Sequence, residues 1–183
     1  ATADVSWADH LERVAYNALP TQATDAYDGR QYYQQTNQIA CSREWRNFVT
    51  QHEDNDNLFG VLNGYPCCSC NMHQGWPKFT QNLWYASRDG GLAAFVYAPS
   101  SVTAKVGEGT EVSLTQETFY PFDETVKVTV DFAGKKVKNA FFPLYFRIPA
   151  WCSDAKVQVN GESVCGTPAG GEIVRISRRW AKG

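Results

Sequence analysis

Residues 126–132 read V-K-V-T-V-D-F, and residues 156–161 read K-V-Q-V-N-G. In the first, apolar and polar side chains alternate without a break, so one face of an extended segment is apolar and the other is wet. The second alternates in the same way and ends on Asn160-Gly161, a strong signal for a tight hairpin. Working outward, short runs of the same character recur at 92–98, 102–106, 111–117, 125–132, 141–148, 155–159 and 173–177, with turn residues between them. That spacing predicts an antiparallel β-sandwich over residues 89–183.

Upstream the pattern changes. Residues 6–17, S-W-A-D-H-L-E-R-V-A-Y-N, open like a capping box on Ser6, with Asp9 in the first turn where negative charge suits the helix dipole. Trp7, Leu11, Val14 and Ala15 then fall on one helical face, and Asn17 to Pro20 ends it. Asp28-Gly29 marks a turn into a polar, aromatic extended run through Tyr32 and Tyr33, read equally as a solvated edge strand or a ligand-facing one. Residues 51–57, Q-H-E-D-N-D-N, lack the glycine and terminal Glu of a calcium loop and read as a solvated loop. Met72, Trp76, Phe79 and Leu83 repeat at helical spacing to about Tyr85, in a helix either kinked by Gly75 and Pro77 or begun near Pro77. Ser87-Arg88-Asp89-Gly90-Gly91 is the clearest break, so the expected division is a helical piece at 1–88 and a sandwich at 89–183.

Composition bounds the partners. Seventeen basic against nineteen acidic side chains leave a net charge of −2, which offers no surface for a polyanion. No N-terminal segment is basic and then apolar, and no run is long enough to span a bilayer. Both ends read as cut, so the chain is expected to be an excerpt of something longer, with its sandwich truncated at the C-terminus. Aromatics make up 14% of the chain, which suits a sugar-handling surface but equally a β-rich core.

Three of the six cysteines crowd into Y-P-C-C-S-C-N-M-H-Q-G-W-P-K-F, residues 65–79. A bridge between Cys67 and Cys68 would be strained, because neighbouring Cα atoms stand only about 3.8 Å apart. Three readings remain open. A structural zinc site would need a second ligand turn, which His52 and His73 do not complete. A disulfide role is open too: the cysteine count is even, and Cys152 and Cys165 flank a hairpin, either bridged or simply buried as thiols. The third reading is a nucleophilic thiolate held by a metal.

C-C-S-C-N followed by a helix resembles the C-C-x-P-N segment of the glycoside hydrolase family 127 and 146 group, whose members include β-L-arabinofuranosidases. W-A-D-H-L-E-R-V-A-Y-N at 7–17, F-F-P-L-Y-F-R-I-P-A-W at 141–151, V-Q-V-N-G-E at 157–162 and I-S-R-R-W-A-K-G at 176–183 resemble further stretches of that family, in the same order. Cys70 departs from it, standing where proline is usual, either as an added thiol near the metal or, the preferred reading, as a buried, harmless exchange. The resemblance implies an α+β chain: part of an (α/α)₆ barrel over 1–88, then the antiparallel sandwich.

It also implies a zinc-dependent retaining glycosidase, with Cys67 as nucleophile, Cys67 and Cys68 as zinc ligands, and Tyr33 as a substrate contact. The remaining ligands, a Glu-x-Cys pair, and the acid/base Glu do not occur here; Glu162-Ser163-Val164-Cys165 has the wrong spacing. The expected partner is an arabinose-containing oligosaccharide or glycan such as a terminal β-L-arabinofuranoside of plant material. Nucleic acid and membrane are not expected, and a homodimer of the full-length protein is left open. The compartment (periplasm, cytoplasm or exterior of a bacterial glycan degrader) is not assigned. The chain alone is expected to be inactive. The rival class is a non-catalytic carbohydrate-binding or structural β-sandwich module with a metal-binding cysteine cluster.

Overall fold

The structure, a computed structural model, describes residues 4–31, 41, 59–60, 66–134 and 137–183. The chain divides into two compact units, residues 12–79 and residues 1–11 with 80–183.

In the larger unit the alternating segments become two sheets. β5 (Ser100–Val106), β6 (Thr110–Thr118) and β7 (Val126–Phe132) form an antiparallel meander. The second sheet has the order β11-β8-β4-β3, built from Ile173–Ala181, Asn139–Arg147, Leu92–Ala94 and Trp84–Ala86. Val106, Val112, Leu114, Val130 and Phe132 from the meander and Leu92, Ala140, Phe142 and Leu144 from the second sheet make one buried cluster. Period-two alternation sends these residues inward and leaves side chains such as Lys127 and Glu117 outside, paired at 3.1 Å.

The expectation of an all-antiparallel sandwich needs one correction. β4 pairs parallel with β8, Leu92 opposite Leu144, while β3 and β11 run antiparallel to their neighbours. The meander between β4 and β8 serves as the crossover that parallel neighbours require. A second correction concerns Trp84 and Tyr85, expected at the end of a helix. α3 (Gly75–Gln81) has already stopped, and the two aromatics pair with Ala94 and Ala93 in β3. Aromatic side chains suit a pleated, half-buried surface, and here that preference outweighs helical spacing. The break at Ser87 to Gly91 is the β3–β4 hairpin turn, and the compact units divide at 11/12 and 79/80.

That turn leaves no room at Gly91. A Cβ there would stand 2.1 Å from the Pro143 carbonyl oxygen and 2.6 Å from the Pro143 ring. Gly91→Ala is therefore expected to destabilise the protein by at least the roughly 1–3 kcal/mol typical of overpacking, seen as a lower midpoint in urea. An unchanged midpoint would mean that β4 and β8 do not approach so closely.

Nearby, the Asp89 carboxylate accepts hydrogen bonds from Ser87 Oγ and Tyr145 Oη, both at 2.5 Å, and pairs with Arg175 at 3.1 Å. These donors, Ser87 first, hold its pKa down at about 2. A depressed carboxylate contributes stability above the ordinary value near 4 and loses it as pH falls toward 2. Asp89→Asn is expected to flatten the acid limb of the melting temperature between those values. An acid limb unchanged in the variant would show that this network does not persist in solution.

α1 (Ser6–Arg13) is shorter than its sequence pattern, giving way to a π-helical turn over Val14–Ala18 and a 3-10 turn at Pro20–Gln22. Its cap is Asp4 rather than Ser6: Asp4 Oδ1 accepts from the Ser6 amide at 3.0 Å and the Ser6 hydroxyl at 2.7 Å. The expected apolar stripe is only partly buried, since Trp7 and Val14 are exposed while Ala15 and Glu12 are covered. Asp9 does more than suit the dipole. Its carboxylate meets the fully buried guanidinium of Arg147 and accepts from the Ala150 amide at 3.1 Å. Arg147 also donates from Nε to the Phe95 carbonyl, and the Tyr97 hydroxyl donates to the Arg147 carbonyl.

Candidate active-site thiols

The cysteine cluster lies on α2 (Pro66–Met72), in the smaller unit. Pro66 occupies the first helical position, where a missing amide hydrogen costs nothing and the fixed φ already suits the helix. Asn71 donates from its side-chain amide to the Cys67 carbonyl at 2.8 Å, and Gln74 reaches the Asn71 side chain at 3.4 Å. The helix is short, with seven residues.

All six cysteines are free thiols. Cys67 and Cys70 are exposed and Cys68 is half-buried. Exposure of Cys70 corrects the expectation that it would be buried: three residues on from Cys67, it shares that residue's outer face of the helix. Cys152 is half-buried and Cys165 exposed, without a bridge between them, although the hairpin they flank is present: Asn160 and Gly161 have φ of 53° and 85°, as a two-residue turn demands.

Cys67 and Cys68 touch through their side chains. Burial pushes the Cys68 thiol up, helped by its hydrogen bond to Cys67 and by the negative charge Cys67 can carry, while the positive charge of Arg30 pulls it down. Arg30, 2% exposed and in the short strand β1 (Gly29–Arg30) that pairs with β2 (Phe59–Gly60), was not singled out by the sequence reading. Its signal, a charge beside an aromatic extended run, pointed to the run and not to the charge.

Two thiols on successive residues, in contact and unbridged, suit two of the four corners of a tetrahedral zinc site. Among the described residues no third His, Cys, Asp or Glu joins them in a group that could hold a metal. His73 is exposed on the turn after α2. Tyr33 and His52 lie outside the described residues. The arrangement can thus offer one accessible sulfur nucleophile and one neighbouring, more sheltered donor.

Comparison with known proteins gives the family. The family model described as β-L-arabinofuranosidase, GH127 middle domain, matches residues 91–183. No curated protein matches the chain. A solved structure titled "Glycoside hydrolase" superposes on the whole chain with a TM-score of 0.76 at 22% identity, which shows a shared fold. The chain spans 28% of that protein's length. Its sandwich, over half of its residues, carries the family's own pattern: the chain belongs to the β-L-arabinofuranosidase family known as glycoside hydrolase family 127, whose middle domain it contains.

Proposed function

We propose that this chain is part of a retaining glycoside hydrolase acting on terminal β-L-arabinofuranosides, with Cys67 as its nucleophile. One observation carries the reading: an exposed thiol, Cys67, stands in contact with a second free thiol at the start of a helix, in a chain of a glycosidase family. Stable disulfide chemistry between neighbours is disfavoured, so the pair is better used facing a common ligand. Residues before the sandwich would then contribute to a helical (α/α)₆ barrel, as the family resemblance implies.

In the first step the Cys67 thiolate attacks the anomeric carbon as the bond to the leaving oxygen breaks and an acid protonates that oxygen. A glycosyl–sulfur bond joins sugar and protein. In the second step water, deprotonated by the same group, attacks that carbon from the opposite side and the sulfur departs as thiolate, so configuration is retained. Cys67 and Cys68 would hold a zinc ion, which when bound supplies the charge that keeps a coordinated thiol deprotonated at neutral pH. Cys68, half-buried, would act as a donor and not as a nucleophile. Tyr33 would contact the sugar. The acid/base and the remaining ligands would come from residues other than those described here.

The test is hydrolysis of a chromogenic β-L-arabinofuranoside by the full-length protein, followed by proton NMR. The β-anomer should appear first. Initial release of the α-anomer, or no release under any metal condition, would overturn the reading. The 183-residue chain by itself is expected to release no arabinose, since among the described residues it offers two contacting donors rather than a full ligand set.

A further inference from the structure

We propose that Cys67 and Cys70 form a reversible dithiol–disulfide pair that switches this site off under oxidising conditions. The three thiols on α2 are not equivalent. Successive helical residues point about 100° apart, so Cys67 and Cys70 lie on one face and Cys68 lies to the side. An α-helix places Cα atoms three residues apart at about 5 Å, inside the roughly 4.4–6.8 Å span of an unstrained disulfide. The Cys67–Cys68 pair, at about 3.8 Å, falls short of it. Both sulfurs of the favoured pair are exposed and so open to a soluble oxidant, whereas Cys68 is half-buried.

The α2 helix is also built to tolerate the closure. It has seven residues, and Asn71 and Gln74 hold its carbonyls with side-chain amides that can follow a tightened turn. Cβ atoms at this spacing sit about 5–6 Å apart in a regular helix, against about 3.5–4.5 Å in a disulfide. Local winding toward a 3-10 turn covers the difference.

The chemistry needs a small disulfide such as oxidised glutathione. The Cys67 thiolate attacks one of its sulfurs, forming a mixed disulfide and releasing one glutathione thiolate. Cys70, its proton lost to solvent, then attacks the Cys67 sulfur, the mixed disulfide breaks, and a second glutathione leaves. Two protein thiols are oxidised by two electrons, and one glutathione disulfide is reduced to two thiols. The pairing stands on helix geometry and exposure; its effect on catalysis rests on the proposed role of Cys67.

The experiment equilibrates the full-length protein, as purified and after treatment with a chelator, in glutathione buffers of rising oxidised fraction. Free thiols are then alkylated and tryptic peptides mapped by mass spectrometry. The expected product is the peptide spanning Cys67 to Cys70 lighter by two hydrogens, with Cys68 alkylated. Dithiothreitol should restore it, and zinc content and turnover should fall in step with its formation. In Cys70→Ser the linked peptide should vanish and glutathione should remain on Cys67. A Cys67–Cys68 link, or alkylation of Cys67 and Cys70 together in every buffer, would overturn the proposal even if a sugar adduct maps to Cys67. A Cys67–Cys70 link that leaves turnover and zinc untouched would keep the pair and overturn the nucleophile assignment instead.

Discussion

Asp9→Ala is expected to lower stability by about 3–5 kcal/mol, the usual cost of removing one partner of a buried ion pair. The Arg147 side chain is wholly buried and Asp9 is its carboxylate partner, itself only 14% exposed. Removing the carboxylate takes a charged acceptor away from the guanidinium and also from the Ala150 amide. Asp9→Asn should cost much less, because an amide oxygen can still accept from both donors. The double variant Asp9→Ala/Arg147→Met should recover a large part of the loss, since an apolar pair needs no solvation. Urea titrations read all three as midpoint shifts at constant slope. A loss below about 1 kcal/mol for Asp9→Ala is the size seen for exposed pairs and would show this one to be solvated.

Loss of the Cys67 sulfur should be felt in chemistry and not in folding. In the full-length protein Cys67→Ser is expected to reduce turnover by roughly 10⁴-fold or more, the scale seen when a covalent nucleophile is removed. A serine hydroxyl stays protonated without a strong base and is a poor partner for zinc beside thiolates. Cys68→Ser should chiefly weaken metal affinity, with activity partly restored by excess zinc. A purely structural zinc site would behave otherwise, both variants losing stability and activity together. Mass spectrometry after a cysteine-directed, mechanism-based sugar inhibitor separates the cases. An adduct on Cys68 or on a carboxylate would show the nucleophile to be wrongly assigned.

The sandwich strands were legible because their pattern is local. Val126 to Phe132 alternates in sequence, and the strand buries Val130 and Phe132 while Lys127 stays exposed; Asn160-Gly161 is a strong local hairpin signal. What sequence could not give is pairing across distance. Nothing in Leu92-Ala93-Ala94 says that its neighbour is residues 144–146, or that the pairing is parallel. Asp9 and Arg147 are 138 residues apart, so the acid read as a dipole partner while its actual partner was out of view. Trp84 and Tyr85 fit two periods at once, and contact with β4 decided between them. At the site, adjacency made Cys67 and Cys68 conspicuous. Arg30 was missed because its influence on Cys68 exists only once β1 and α2 are folded.

The parallel contact between β4 and β8 fixes an order of assembly. Its partners are about fifty residues apart, so forming it early would close a long loop at full entropic cost before the contact could repay it. The meander β5–β6–β7 carries only neighbouring antiparallel pairs and can zip from its own turns. Once it has done so, residues 100–132 act as one folded link, and β8 closes against β4 across a shorter effective gap. Substitutions within the meander core, such as at Leu114, should then slow folding, whereas truncations in β11, which adds to the outer edge of β8, should mainly speed unfolding. The topology thus makes the middle of this segment its kinetic foundation and its last strand a late addition.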